Sequence, residues 1–133
     1  MSQSSGLPPS ITISARDADQ LDALMEHLAP AQQAAAQALA KELDRATIVA
    51  HDQVPAGTVM MHSRVECEDE LLGGRHVLTL VLPRDADVDQ GKVSILAPVG
   101  TALLGLSVGQ SIDWDAPGGR RLRLRVTAVD QQG

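Results

Sequence analysis

The apolar residues of this chain change period once. Up to Arg45 they recur at helical spacing, and beyond it they alternate in the manner of strands. That one switch divides the 133 residues into a helical part and a strand-rich part, which points to an α+β arrangement.

In the helical part, Ser14 and Asp17 form an S-x-x-D pattern. Ser14 is placed to cap a helix, with Asp17 in the first turn, where a carboxylate meets the positive end of the helix dipole. Leu21, Leu24, Met25 and Leu28 follow on one stripe, and Pro30 ends this helix or opens the next. Residues 31–46 are rich in strong helix formers, with Ala35, Ala36, Leu39, Leu43 and Ala46 on one face. The short connection predicts an antiparallel helical hairpin over 14–46, with arms of about 20–25 Å. Residues 1–13 read as a flexible lead-in, Ser, Gly and Pro-rich through Ser10, with a short extended piece at 11–13.

In the second part, 47–133, Val59, Met61, Ser63, Val65 and Cys67 alternate with Met60, His62, Arg64, Glu66 and Glu68 as in a strand. Gly73-Gly74 signals a turn into a returning strand over 75–82. Further strands are expected at 92–96, 111–114 and 121–129, the last two joined by a Pro117-Gly118-Gly119 turn. A short helix over 99–104 interrupts them, so the expectation is a small antiparallel sheet holding one helix.

Composition removes several function classes. Phe and Tyr are absent and Trp114 is the sole aromatic, which argues against base-stacking platforms. A net charge of -6 opposes wholesale attraction to nucleic acid or an anionic membrane. No leader pattern and no membrane-length apolar run is visible, and one cysteine cannot form an internal disulfide; a reducing cytoplasm is the expected location. A monomer is expected from the short Ala-rich hairpin.

The chemistry-bearing residues are sparse. His27, His51, His62, His76 and Cys67 show no metal-ligand spacing and read as scattered, so neither a metal nor a cofactor is expected. Glu66, Glu68, Asp69 and Glu70 have the look of a solvated strand end rather than an acid–base pair. Arg121, Arg123 and Arg125 make a basic stripe, with the protein's own carboxylates or an acidic partner surface as its counterpart. No nucleophile elbow, phosphate loop or dinucleotide fingerprint is present, and the chain is expected to be no enzyme.

The stretch ILAPVGTALLGLSVGQSIDW, 95–114, is different. Pro98 sets a rigid corner where strand becomes helix. Ala97, Val99, Ala102, Leu103 and Leu104 are more apolar side chains than a helix this short is expected to turn inward, so exposed apolar surface, and therefore docking, is anticipated. Burial of Leu103, Leu104 and Leu106 under an open sheet is the competing reading for the leucines.

ELDRATIVA at 42–50, MHSRV at 61–65, and APVGTALLGLSVGQSIDW followed by PGG at 97–119 resemble the regulator of nucleoside diphosphate kinase family, a shorter relative of the Gre transcript-cleavage factors. The resemblance implies an N-terminal antiparallel coiled coil and an FKBP-like C-terminal domain. It also implies RNA polymerase as partner, bound near its secondary channel through Ala97, Pro98, Val99, Gly100, Ala102, Leu103 and Leu104. Gre factors carry acidic residues at the tip of a long coiled coil. Here the tip is Glu26, His27, Leu28, Ala29 and Pro30, where Glu26 is the nearest carboxylate. A lone carboxylate is a poor magnesium handle. The expected function is binding in competition with Gre factors, without stimulation of cleavage and without direct nucleic-acid binding. The rivals are an active cleavage factor using Glu26, a binding module for an acidic partner, and a prolyl isomerase, for which the chain lacks aromatic pocket walls.

Overall fold

The structure, a computed structural model, describes residues 11–116 and 119–131, without the side chains of 114–116. Its elements are β1 (Thr12–Ser14), α1 (Ala15–Met25), α2 (Gln33–Arg45), β2 (Thr47–Val49), β3 (Arg64–Asp69), β4 (Arg75–Val81), β5 (Lys92–Ser94), α3 (Pro98–Leu103), β6 (Ser111–Ala116) and β7 (Arg120–Asp130). A helical part therefore precedes a sheet part, as the change of period requires. Most of the lead-in and the centre of the Pro117-Gly118-Gly119 turn lie outside the described residues.

Ser14 caps α1 as its spacing predicts: its Oγ accepts the Asp17 N–H at 2.9 Å. The Asp17 side chain then reaches across the molecule, where Oδ2 accepts the Met61 N–H at 3.1 Å. α2 ends where Ala46 turns extended, and β2 follows it directly.

Residues 11–13 are not a lead-in. β1 pairs in parallel with β2, and Ile11 and Ile13 are buried at 3% and 2% exposure. The Thr12 N–H donates to the Gly105 carbonyl, and the Thr47 N–H to that of Ile11. The physical reason is burial: two β-branched side chains removed from water contribute roughly 2 kcal/mol each.

The main sheet has the order β5-β4-β3-β7-β6. It is antiparallel except at one edge, where β5 runs parallel to β4. The expectation of a wholly antiparallel sheet is corrected there. The loop over 82–91 is long enough to carry the chain back to the level of Thr79, where β5 begins, which a tight hairpin is not.

The alternation over 59–67 holds in burial only from Met61 onward, since Met60 is buried at 8% exposure beside Val59 and Met61, and it does not hold in backbone. Val59, Met61, Ser63, Val65 and Cys67 all point inward, yet only 64–69 is strand. Before it the chain turns: Ser63 Oγ accepts the Met60 N–H at 2.9 Å, and His62 adopts a left-handed φ of 71°.

One apolar core runs through both parts. Ile11, Ile13, Leu21 and Leu39 pack in the same cluster as Val59, Val65, Leu80, Ile95, Leu103, Leu104, Leu122 and Leu124. The helices are thus fixed to the sheet by shared burial as well as by the Asp17–Met61 hydrogen bond.

Gly105 is the tightest point of that junction. Its φ is +83°, and an added Cβ would lie 2.7 Å from the Ile11 Cβ. Gly105→Ala should therefore cost at least about 2 kcal/mol, from left-handed strain plus displacement of Ile11. Urea denaturation of wild type and variant measures it; equal midpoints would mean that β1 moves aside freely.

Candidate functional site

Pro98 occupies the first position of α3, after an extended Ala97 at φ −71° and ψ 149°. The ring presets φ for a helix start, and its missing N–H is one the helix would leave unpaired anyway. Backbone and side-chain bonds on both sides then hold the corner. Ser94 accepts the Ala97 N–H on its carbonyl and the Leu96 N–H on its Oγ, each at 3.0 Å. Thr101 Oγ1 donates to the Ile95 carbonyl at 2.6 Å. An added Cβ at Gly100 would overlap the Ser94 carbonyl oxygen, so α3 rests directly on the backbone leaving β5. Beyond the helix, the Gly105 N–H donates to the Val59 carbonyl at 2.9 Å and the Val59 N–H to that of Leu106 at 2.7 Å.

This packing corrects the expected docking surface. Val99, Gly100, Leu103 and Leu104 are buried, the two leucines completely, because α3 is packed on β5, β6 and α2 and so has more than one wall to bury against. Pro98 is exposed, and Ala97 and Ala102 are half-buried. What faces outward is a narrow proline corner held by hydrogen bonds on both sides.

Between α1 and α2, Glu26 closes α1 and its N–H donates to the Asp22 carbonyl, while that of His27 donates to Leu24. Ala29 is extended and Pro30 opens a 3-10 turn, Pro30–Gln32. Glu26, His27, Ala29 and Pro30 are exposed and Leu28 is half-buried. Glu26 is the one carboxylate between Met25 and Gln33.

The arginine stripe is matched from within the sheet. Arg125 pairs with Glu68 at 2.9 Å and with Glu70 at 3.6 Å, and Arg123 with Asp113 at 3.2 Å and Glu70 at 3.3 Å. Arg75 and Arg64 share Glu66. These pairs are solvent-washed and each is worth at most about 1 kcal/mol. They nevertheless neutralise Arg123 and Arg125 where they stand. The carboxylates of 66–70 are the partners of that ladder, Asp69 excepted.

Asp69 is 2% exposed. Burial by itself raises its carboxyl, but the Leu71, Arg123 and Leu72 N–H groups and the charge of His76 outweigh that and hold it below the usual aspartate value. Its Oδ1 accepts from Leu71 at 3.0 Å and from Arg123 at 3.2 Å, tying the β3–β4 turn to β7. Cys67 is wholly buried, and burial pushes its thiol up to about 11.

Sequence reasoning missed a cleft of about 460 Å³ between α1, the turn after β2 and residues 60–62. Its lining runs from Arg16 to Gln131, so no local motif announces it. His51 and His62, read as scattered, both line it. Among the described residues no group of three or more His, Cys, Asp or Glu is placed to hold a metal ion, and no helix is long and apolar enough to cross a membrane.

The fold and the α3 corner place the chain among Gre-type proteins. The family model for the C-terminal part of transcription elongation factors GreA/GreB matches residues 54–131, and the Rnk N-terminus model matches residues 9–49. A solved GreA/GreB elongation factor from Nitrosomonas europaea is 43% identical, with a TM-score of 0.77 over 92% of this chain and 99% of that one. GreA factor homolog 1 of Thermus thermophilus shares the fold at a TM-score of 0.51 and 24% identity, covering 92% of this chain and all of that one (100%). The regulator of nucleoside diphosphate kinase of Escherichia coli (strain K12) is 41% identical over 124 residues, 93% of this chain and 91% of that protein. The chain belongs to the regulator of nucleoside diphosphate kinase family.

Two outcomes follow from the buried groups. A pKa held low stabilises the fold above the ordinary aspartate range, and that contribution is lost as pH falls through the folded value. Asp69→Asn should therefore lower the urea midpoint at pH 7, and the gap from wild type should close in acid, below about pH 4; a gap constant across pH would refute the assignment. Cys67, with its thiol at about 11, should resist maleimide at pH 8 in the folded protein and react once urea is added. Rapid labelling of the native chain would mean that β3 opens readily.

Proposed function

We propose that the chain is a non-enzymatic transcription regulator that binds RNA polymerase near its secondary channel, and that it acts by occupying the entrance that Gre factors use. It works as a monomer in the cytoplasm, with α1 and α2 as a short antiparallel coiled coil and the sheet with α3 as an FKBP-like domain. Pro98, flanked by Ala97 and Ala102, makes the contact. The observation that carries this reading is the immobilised corner: a protein surface already held in its bound shape loses little entropy on docking.

The tip supports binding without cleavage. At about 1.5 Å per residue the helices are only about 16 and 20 Å long, which limits how far the tip reaches from the sheet. Glu26 alone offers the metal no second carboxylate. The neutralised arginine ladder argues against the acidic-ligand module, since Arg123 and Arg125 already have carboxylate partners.

The test uses backtracked elongation complexes and purified core polymerase. The protein alone should leave the transcript uncleaved, and increasing amounts should suppress cleavage stimulated by a Gre factor. Pro98→Asp combined with Ala102→Asp should weaken polymerase binding at least tenfold while leaving the thermal midpoint nearly unchanged. Leu103→Asp, by contrast, should unfold the domain, because it places a carboxylate at a site with no water. Full affinity in the Pro98/Ala102 variant would remove α3 from the interface, and cleavage lost on Glu26→Ala would establish the active-factor reading instead.

A further inference from the structure

The cleft beside α1 has features that neither the fold nor the α3 corner explains. Its rim carries Arg16, Gln20, Asp52 and His62, and among the described residues none of these side chains has a hydrogen-bond or ion-pair partner. Asp17, 5% exposed, also lines it and is a carboxylate that has, among the described residues, a single protein donor, the Met61 N–H on Oδ2. A buried carboxylate ordinarily gathers more donors than one. The floor is apolar, from Val54, Met60 and Met61.

His62 adds an independent observation. Its φ of 71° is the sole left-handed backbone among the described non-glycine residues, although glycine would adopt it without strain. Such a residue carries backbone strain, and strain of this kind gathers at functional positions. The turn itself does not need an imidazole. The His62 N–H that holds it, donating to the Leu80 carbonyl at 2.7 Å, is present in every residue but proline.

We infer that this cleft binds a small zwitterion of the amino-acid type, a free α-amino acid or dipeptide with an apolar side chain. Unpaired groups of both signs face one space, so the complementary ligand carries both an ammonium and a carboxylate. Asp17 and Asp52 accept from the ammonium. Arg16, assisted by His62, donates to the carboxylate, as a guanidinium is shaped to do. Val54, Met60 and Met61 receive the apolar side chain; methionine adapts to such contacts. A nucleotide fits less well, because the lining offers no large aromatic to stack a base and a single guanidinium for phosphate. The volume falls within the range of small-ligand sites and exceeds that of one amino acid, leaving room for a dipeptide.

The site joins α1 to the turn before β3, so occupancy would tighten the attachment of the helices to the sheet. The inference does not depend on polymerase binding.

The full-length chain is screened by thermal unfolding with each apolar α-amino acid and with Leu-Leu, followed by calorimetry on the strongest binder. With leucine, the expected result is a midpoint that rises with concentration and saturable binding. Isopentylamine and 4-methylpentanoate, which keep one charge each, should bind at least tenfold more weakly. Arg16→Gln and Asp52→Asn should each lose at least tenfold, with thermal midpoints near wild type in the absence of ligand. His62→Gly should fold at least as stably as wild type, by relief of the left-handed strain, and still bind more weakly. No stabilisation by any of these compounds would overturn the inference, as would undiminished binding in Arg16→Gln or His62→Gly. Binding of guanosine monophosphate with the amino acids inert would replace it with a nucleotide site.

Discussion

Gly100 lies within α3 and Gly105 just beyond it, and neither position has room for a methyl group. Gly100 lies against the Ser94 carbonyl and Gly105 against Ile11. The rest of the architecture hangs on these approaches. Gly100 brings the helix onto the end of β5 closely enough for Thr101 to reach the Ile95 carbonyl. Gly105 lets β1 lie against the far end of the helix, where its carbonyl receives the Thr12 N–H. Because β1 leads straight into α1, the placement of the helical part is set at a backbone contact rather than by a free linker. Close approach of this kind raises dispersion and burial together, and interiors packed at crystal-like density transmit any enlargement as displacement.

How legible this was from the sequence varied with the physics involved. Ser14 and Asp17 declared the start of α1 because a cap is a local interaction, complete within four residues. The alternation at Val65 and Cys67 declared the buried face of β3 for the same reason. The burial of Leu103 and Leu104 was harder. The number of walls around a short helix is a tertiary fact, and a segment with five apolar residues looks overexposed until α2 and two strands are seen beside it. The same blindness affected the extended piece at Ile11 and Ile13. Its partner, β2, is more than thirty residues away in sequence, and two isoleucines are too few for periodicity to speak. His62 could be found by no pattern at all, since a left-handed turn usually advertises itself with Gly or Asn.

Electrostatics restrains the open face of the sheet. The chain carries a net charge of -6, yet the face formed by β3, β7 and β6 is an interleaved ladder in which Glu68, Glu70 and Asp113 meet Arg125 and Arg123. Such pairs add little stability. Arg123 and Arg125 on this face each already stand beside carboxylates of the same chain. The ends of the sheet hold the α3 corner and the β3–β4 turn.

The two ends are built differently. At one, β4 runs out toward the Val81 carbonyl, which receives the Ile95 N–H, and the turn before β3 holds Asp17 of α1. The α3 corner and the stem of the helices are therefore neighbours, rigidly coupled through one core. At the other end, a strand length away, or roughly 20 Å, Asp69 fixes a turn that presents Leu71 and Leu72 to solvent. A partner that grips Pro98 consequently meets the helices in a determined orientation, because no flexible joint separates the contacts. Two contacts on one rigid body add their binding energies without a second loss of rotational freedom, so a small corner can suffice if the helical stem also touches the same partner.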